Sequence, residues 1–178
     1  MTKGMMRAMA TGAALAVMAT GSLVTGALAQ TSDNVVASKT AWSVFAEKDP
    51  VECWGVSKPQ TTVNTRDGKE VTAKRSDILL YITYRPGQPG EVSFTGGYTF
   101  AEGSNVDVTI DGNAFKMVTQ GEWAWAGSPD DDAKMLAAMQ KGSTAVLVAR
   151  SGKGTQTKDT FSLSGFSAAV GEASKRCK

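Results

Sequence analysis

The chain has 178 residues, which suits one domain with a single sizeable core. Nineteen Lys and Arg stand against seventeen Asp and Glu, so overall charge advertises no basic surface that would draw nucleic acid or anionic lipid. Histidine is absent, which removes the commonest general base, the usual activator of Ser or Cys nucleophiles and the commonest metal ligand together.

The first segment carries Lys3 and Arg7, followed by an uncharged run over residues 8–29 that ends in Ala27-Leu28-Ala29. That ending is the small-x-small pattern a signal peptidase accepts, so residues 1–29 are expected to be a signal peptide cleaved after Ala29, and residues 30–178 the mature domain. An uncleaved anchor is the alternative, but Gly12, Thr20, Gly21, Ser22, Thr25 and Gly26 dilute the apolar content, and no charged stop-transfer cluster follows. Losing Lys3 and Arg7 takes the basic residues from nineteen to seventeen, equal to the seventeen acids, so the mature domain is formally neutral. Beyond Ala29 no stretch approaches a transmembrane length. The expected location is therefore the periplasm, with the outer surface or secretion as alternatives.

Short apolar runs between turn signals then set the rhythm of a β protein. Trp42 and Trp54 flank the region of Cys53 and are expected to pack around it. Residues 62–65 and 70–73 form a hairpin about Arg66-Asp67-Gly68-Lys69. Lys69, Lys74, Arg75, Lys153 and Lys158 read as solvated strand edges and turns. Residues 78–84 alternate little, which predicts a strand covered on both faces, as do residues 145–149. A turn over residues 85–90 leads to a strand at residues 91–94. Val106, Val108 and Ile110 alternate with polar residues up to Asp111-Gly112-Asn113, whose Asp-Gly step favours a tight primed turn before residues 115–118 return. Asp107, Asp111 and Asn113 lack the remaining ligands of a calcium loop.

Two helices complete the pattern. Ser128 is an N-cap, Pro129 fits the first helical position, Asp130, Asp131 and Asp132 suit the positive end of the dipole, and Gly142 ends the helix. Farther on, Phe166, Ala169, Val170, Ala173 and Cys177 fall on one helical stripe, with Cys177 on the inward side. Between these helices, Arg150-Ser151-Gly152-Lys153-Gly154-Thr155 resembles a phosphate loop only superficially, because Leu147 and Gly154 stand where Gly and Ser or Thr are required; it reads as a flexible connection between strands. The fold class expected is mostly β: an antiparallel β-sandwich or barrel-like single domain with one short internal helix and a C-terminal helix.

No catalytic, cofactor-binding or metal-ligating set emerges, although a carboxylate pair is a property of the fold and would not show in sequence. Cys53 and Cys177 form an even count in an exported chain and point to a disulfide; two separate buried thiols are the alternative. Trp123 and Trp125, two apart, share one face of a strand, as do Tyr98 and Phe100 after Gly96-Gly97. Each pair is either core or a stacking platform for a sugar or peptide, and Trp123 with Trp125 is the candidate ligand platform.

Several segments taken together resemble the invasion-associated locus B family of exported Gram-negative proteins. They are Trp42-Ser43-Val44-Phe45, Pro50-Val51-Glu52-Cys53-Trp54, Arg75-Ser76-Asp77-Ile78-Leu79-Leu80, Tyr84-Arg85-Pro86, Phe94-Thr95-Gly96-Gly97-Tyr98, Val108-Thr109-Ile110-Asp111-Gly112 and Gly121-Glu122-Trp123-Ala124-Trp125, continuing through Gly152-Lys153-Gly154-Thr155 and Asp159-Thr160-Phe161 to Cys177. The resemblance implies an exported, largely β domain named for a role in host-cell entry, and carries no reaction or catalytic residue with it. Relatives often have a further cysteine ahead of the position of Cys53; Phe45-Ala46-Glu47 offers none here, which leaves Cys53 with Cys177 as the intramolecular pair. The function expected is a non-enzymatic periplasmic or surface interaction protein that binds an envelope protein or cell-wall component, without cofactor or nucleic acid. Glycan binding through Trp123 and Trp125 is the second reading, and a carboxylate-based hydrolase the third.

Overall fold

A computed structural model describes residues 34–177. The expected leader and its cleavage point after Ala29 lie outside the described residues. In chain order the elements are β1 (Val35–Lys39), β2 (Trp42–Lys48), β3 (Val51–Ser57), β4 (Thr61–Arg66), β5 (Lys69–Glu70), β6 (Leu79–Tyr84), β7 (Glu91–Thr95), β8 (Asn105–Ile110), β9 (Asn113–Gln120), β10 (Trp123–Ala126), α1 (Pro129–Lys141), β11 (Thr144–Arg150), β12 (Gln156–Ser162) and α2 (Phe166–Arg176).

The strands join in one ladder of order β1-β2-β3-β6-β7-β10-β9-β8-β11-β12-β4-β5. Every neighbouring pair is antiparallel. β7 and β12 stand five steps apart in this order, which would separate them by about 24 Å in a flat sheet. Yet the rings of Phe94 on β7 and Phe161 on β12 meet edge to face, 6.1 Å between centroids. The sheet therefore curls round its own core, the barrel-like form of a mostly β fold, and stays open between β1 and β5.

Alternation places the core on the inner side. Val106, Val108 and Ile110 point inward along β8, and Ala145, Leu147 and Ala149 do so along β11. Both described helices add to that interior: Met135 and Met139 of α1, and Phe166, Ala169, Val170 and Ala173 of α2. β3 turns the small Cys53, Gly55 and Ser57 inward, which leaves room for Trp42 and for Ala169 of α2 against Gly55.

The local signals act as their chemistry dictates. The Ser128 hydroxyl accepts the Asp131 backbone N–H at 3.2 Å, and Pro129 opens α1. Gly142 closes it in an extended conformation, and the reason for glycine is space, since a Cβ there would lie 2.7 Å from Ile110. The Asp111-Gly112 and Asp67-Gly68 turns both take the positive φ angles of primed hairpins.

Tertiary context alters other expectations. β5 is only two residues long, and residues 71–78 run irregularly because Arg75 is drawn into the interior rather than left in solvent. β6 and β11 bury one face fully and the other only in part, with Thr83 of β6 buried on the outer side, since the helices pack only inside the roll. Residues 150–155 form a pinned turn rather than a flexible connection: Ser151 N–H donates to Thr155 O, Thr155 N–H to Ser151 Oγ and Gly152 N–H to Thr99 O. The expected packing of both tryptophans around the cysteines does not form: Trp42 packs inside against Phe166 at the start of α2, the end opposite Cys177, whereas Trp54 points to the opposite side of the sheet and stacks on Phe45.

Cys53 and Cys177 are joined in a disulfide, with 5.8 Å between their Cα atoms, which secures the end of α2 to β3.

Candidate binding face

Four strands adjacent in the ladder, β3, β6, β7 and β10, build an aromatic surface on the outer side of the roll. Register decides its composition. Trp54 pairs with Thr83, Thr83 with Glu91, and in the next row Tyr81 pairs with Ser93 and Ser93 with Trp125. Large rings thus alternate with the short side chains of Thr83 and Ser93, which sink beneath them. The result is a hollow of about 300 Å³ walled by Trp54, Tyr81, Trp123 and Trp125, with Glu52, Arg85 and Glu91 at its margin.

The rings support one another. Trp123 and Trp125 lie near-parallel at 6.3 Å between centroids, and Tyr81 tilts against Trp123 at 5.6 Å. Trp123 is 39 % exposed, a large fraction for tryptophan, while Trp125 is half-buried. Burial, and then the nearby Asp77 carboxylate, push the Tyr81 hydroxyl above its ordinary pKa, so it remains a neutral donor. At the margin Arg85 pairs with Glu52 at 2.6 Å and reaches Glu91 at 3.6 Å. Stacking surface and a charged rim suit recognition of a ligand; both marginal carboxylates are engaged by one guanidinium.

Of the residues expected to form a platform, Trp123 and Trp125 do come together. Tyr98 and Phe100 do not join them: Phe100 is core, packed on Phe94, and the Tyr98 hydroxyl is bonded to Thr157 Oγ1 at 2.6 Å. Trp54 and Tyr81 escaped the sequence reading although a signal existed. If Cys53 must face inward to reach the stripe of α2, strand alternation sends Trp54 outward, and Leu80 with Ile82 inside does the same for Tyr81.

The third expectation, a pair of buried acids, can be placed as well. Among the described residues Asp159 is the one buried carboxylate, and it faces an arginine. Burial raises its pKa, against the pull of the Arg75 hydrogen bonds and charge.

Fold and face together define a mostly antiparallel β domain with one internal and one C-terminal helix. The chain belongs to the invasion associated locus B (IalB) protein family, whose profile matches residues 42–174. In line with this, the fold is similar to the crystal structure of invasion associated protein b from Bartonella henselae, at 14 % identity and a TM-score of 0.54, covering 77 % of this chain and 94 % of that one. No curated protein sequence matches the chain. The family resemblance carried by the short segments is therefore correct, and the chain is of the invasion-associated type. Among the described residues no helix is long and apolar enough to cross a membrane.

Proposed function

We propose that residues 1–29 direct export and are removed after Ala29, and that residues 30–178 act in the periplasm, or at the cell surface or beyond it, as a non-enzymatic module that binds an envelope protein or cell-wall component. The observation that carries this reading is the ring-lined hollow, because four aromatic side chains gathered on the outer side of a sheet have no packing role in the interior. The disulfide supports an oxidising compartment. Crosslinking in intact cells with a tag after residue 178, followed by mass spectrometry, tests the reading. A partner captured by the native chain is expected to fall by about tenfold or more with Trp123→Ala/Trp125→Ala, since truncating central aromatic anchors costs on the order of 2 kcal/mol. Capture that is indifferent to the double substitution would remove this face from the function.

A glycan is the second reading, favoured by the closeness of Arg85, Glu52 and Glu91 to the rings, which places hydrogen-bonding groups beside stacking surface. Soluble cell-wall fragments would then change the tryptophan fluorescence of the native chain, and unchanged emission at saturating fragment would reject a glycan.

A further inference from the structure

A second and larger hollow, about 560 Å³, opens at one end of the roll, away from the aromatic margin of Glu52 and Arg85. The turn after β4, the irregular segment after β5, the loop after β7, the turn between β9 and β10 and the turn between β11 and β12 all converge there. Its volume is that of a small-molecule site, roughly 300–1,000 Å³.

Its charge sets it apart. Arg66, Lys74 and Lys153 line it against a single carboxylate, Glu122. Among the described residues none of these three cations has an acidic partner within salt-bridge distance. Arg75 also borders the hollow but is neutralised by Asp159. In a mature chain with equal numbers of basic and acidic residues, three unneutralised cations in one concavity concentrate the positive field locally.

The walls are fixed in advance. Tyr98 is held at its ring by the Arg75 guanidinium, 5.1 Å from the centroid, and at its hydroxyl by Thr157. Gly97, at φ +73°, lies so close to Ser76 that a Cβ would fall 2.7 Å from its carbonyl oxygen, so two of the converging segments are locked together. Arg66 donates to Thr155 Oγ1 at 2.7 Å, which aims the guanidinium from a hydrogen-bonded turn. Such preorganisation lowers the entropic cost of capturing a ligand.

We propose that this mouth binds a phosphorylated sugar, free or carried as a lipid headgroup. A phosphate monoester bears close to two negative charges and several acceptor oxygens, which matches several cations better than a single carboxylate would. The hydroxyls of Thr72, Thr99 and Thr155 in the lining, beside the Tyr98 ring, suit the sugar body. This site is separate from the aromatic face and does not rest on its function.

Calorimetry on the purified, disulfide-intact chain with glucose-6-phosphate, glucose and inorganic phosphate tests the site, together with flotation on phosphatidylcholine vesicles with and without monophosphoryl lipid A. Binding of glucose-6-phosphate is expected to exceed that of glucose by about tenfold or more and to weaken as salt rises. Arg66→Ala/Lys74→Ala/Lys153→Ala should lose about tenfold while thermal stability holds. Should the triple variant not fold, Lys153→Glu in the exposed turn takes its place. Capture by lipid A vesicles without binding of glucose-6-phosphate would assign the ligand to a headgroup, and the converse to a free sugar phosphate. Failure of both probes, equal binding of glucose, or binding unchanged by the charge substitutions would overturn the proposal.

Discussion

The guanidinium of Arg75 makes four hydrogen bonds at once: Nη1 and Nη2 to the two carboxylate oxygens of Asp159 at 2.7 and 2.6 Å, Nε to Gly96 O at 2.8 Å, and Nη1 to Asn64 Oδ1 at 3.3 Å. Its side chain is 5 % exposed and that of Asp159 is wholly buried. A bidentate pair of this kind fixes geometry, drawing residues 71–78 across the end of the roll, and its removal from one side leaves a charge stranded. Arg75→Met is therefore expected to cost about 3–5 kcal/mol in urea unfolding, whereas Arg75→Met/Asp159→Leu should cost well under the sum of the two single losses. Additive losses would mean that the two side chains act independently. Nothing near Arg75 in sequence announced this burial, because Lys74, Ser76 and Asp77 are all polar and the carboxylate lies 84 residues away. A reading of local chemistry registers a solvated cation there; only topology supplies the partner.

Between elements, Asp132 joins the first turn of α1 to β7 by accepting the Val92 backbone N–H at 2.7 Å. Burial raises its pKa, with the Glu91 and Asp131 charges adding to the rise and the Val92 hydrogen bond opposing it. A carboxyl whose folded pKa stands above its unfolded value takes up a proton earlier in the native state, so its contribution to stability falls as pH rises from the unfolded to the folded pKa. Asp132→Asn keeps the acceptor oxygen and removes the charge. The variant should be more stable than the native chain at neutral pH, with the advantage shrinking to nothing as pH drops below the ordinary carboxylate range. Denaturation curves taken across that range measure this, and an advantage that does not vary with pH would contradict it. Elements with signals carried by adjacent residues were legible in the sequence: the Ser128-Pro129 start of α1, the Asp111-Gly112 hairpin, the apolar stripe of α2. Those that depend on distant partners were not. The N-terminus of α2 has no side-chain cap, and Gly165 is required by its φ of +87° and by the Lys39 carbonyl that a Cβ would strike, a neighbour that sequence does not disclose.

At the scale of the whole molecule, the roll has an inside that one covalent link closes and an outside that carries the aromatic hollow. The link and the hollow share β3, and alternation ties them together: Cys53 inward to α2 obliges Glu52 and Trp54 to face out. The Cys53–Cys177 bond spans 124 residues, nearly the entire described chain, so it restricts the unfolded ensemble far more than it restrains the native one. In the chain-entropy model this is worth about 4–5 kcal/mol, which for a domain of this size lowers the melting temperature by roughly 10–20 °C on reduction. α2 keeps its apolar anchors Phe166, Ala169, Val170 and Ala173 when the bond is broken, so the reduced chain at low temperature should retain its helix and its native tryptophan emission. Melting of the oxidised chain and of Cys53→Ala/Cys177→Ala, followed by both circular dichroism and fluorescence, separates two ways the bond could act. Coincident transitions shifted downward together place its effect in the unfolded state; an early helical transition, ahead of the fluorescence change, would mean instead that the bond holds α2 in place against the sheet.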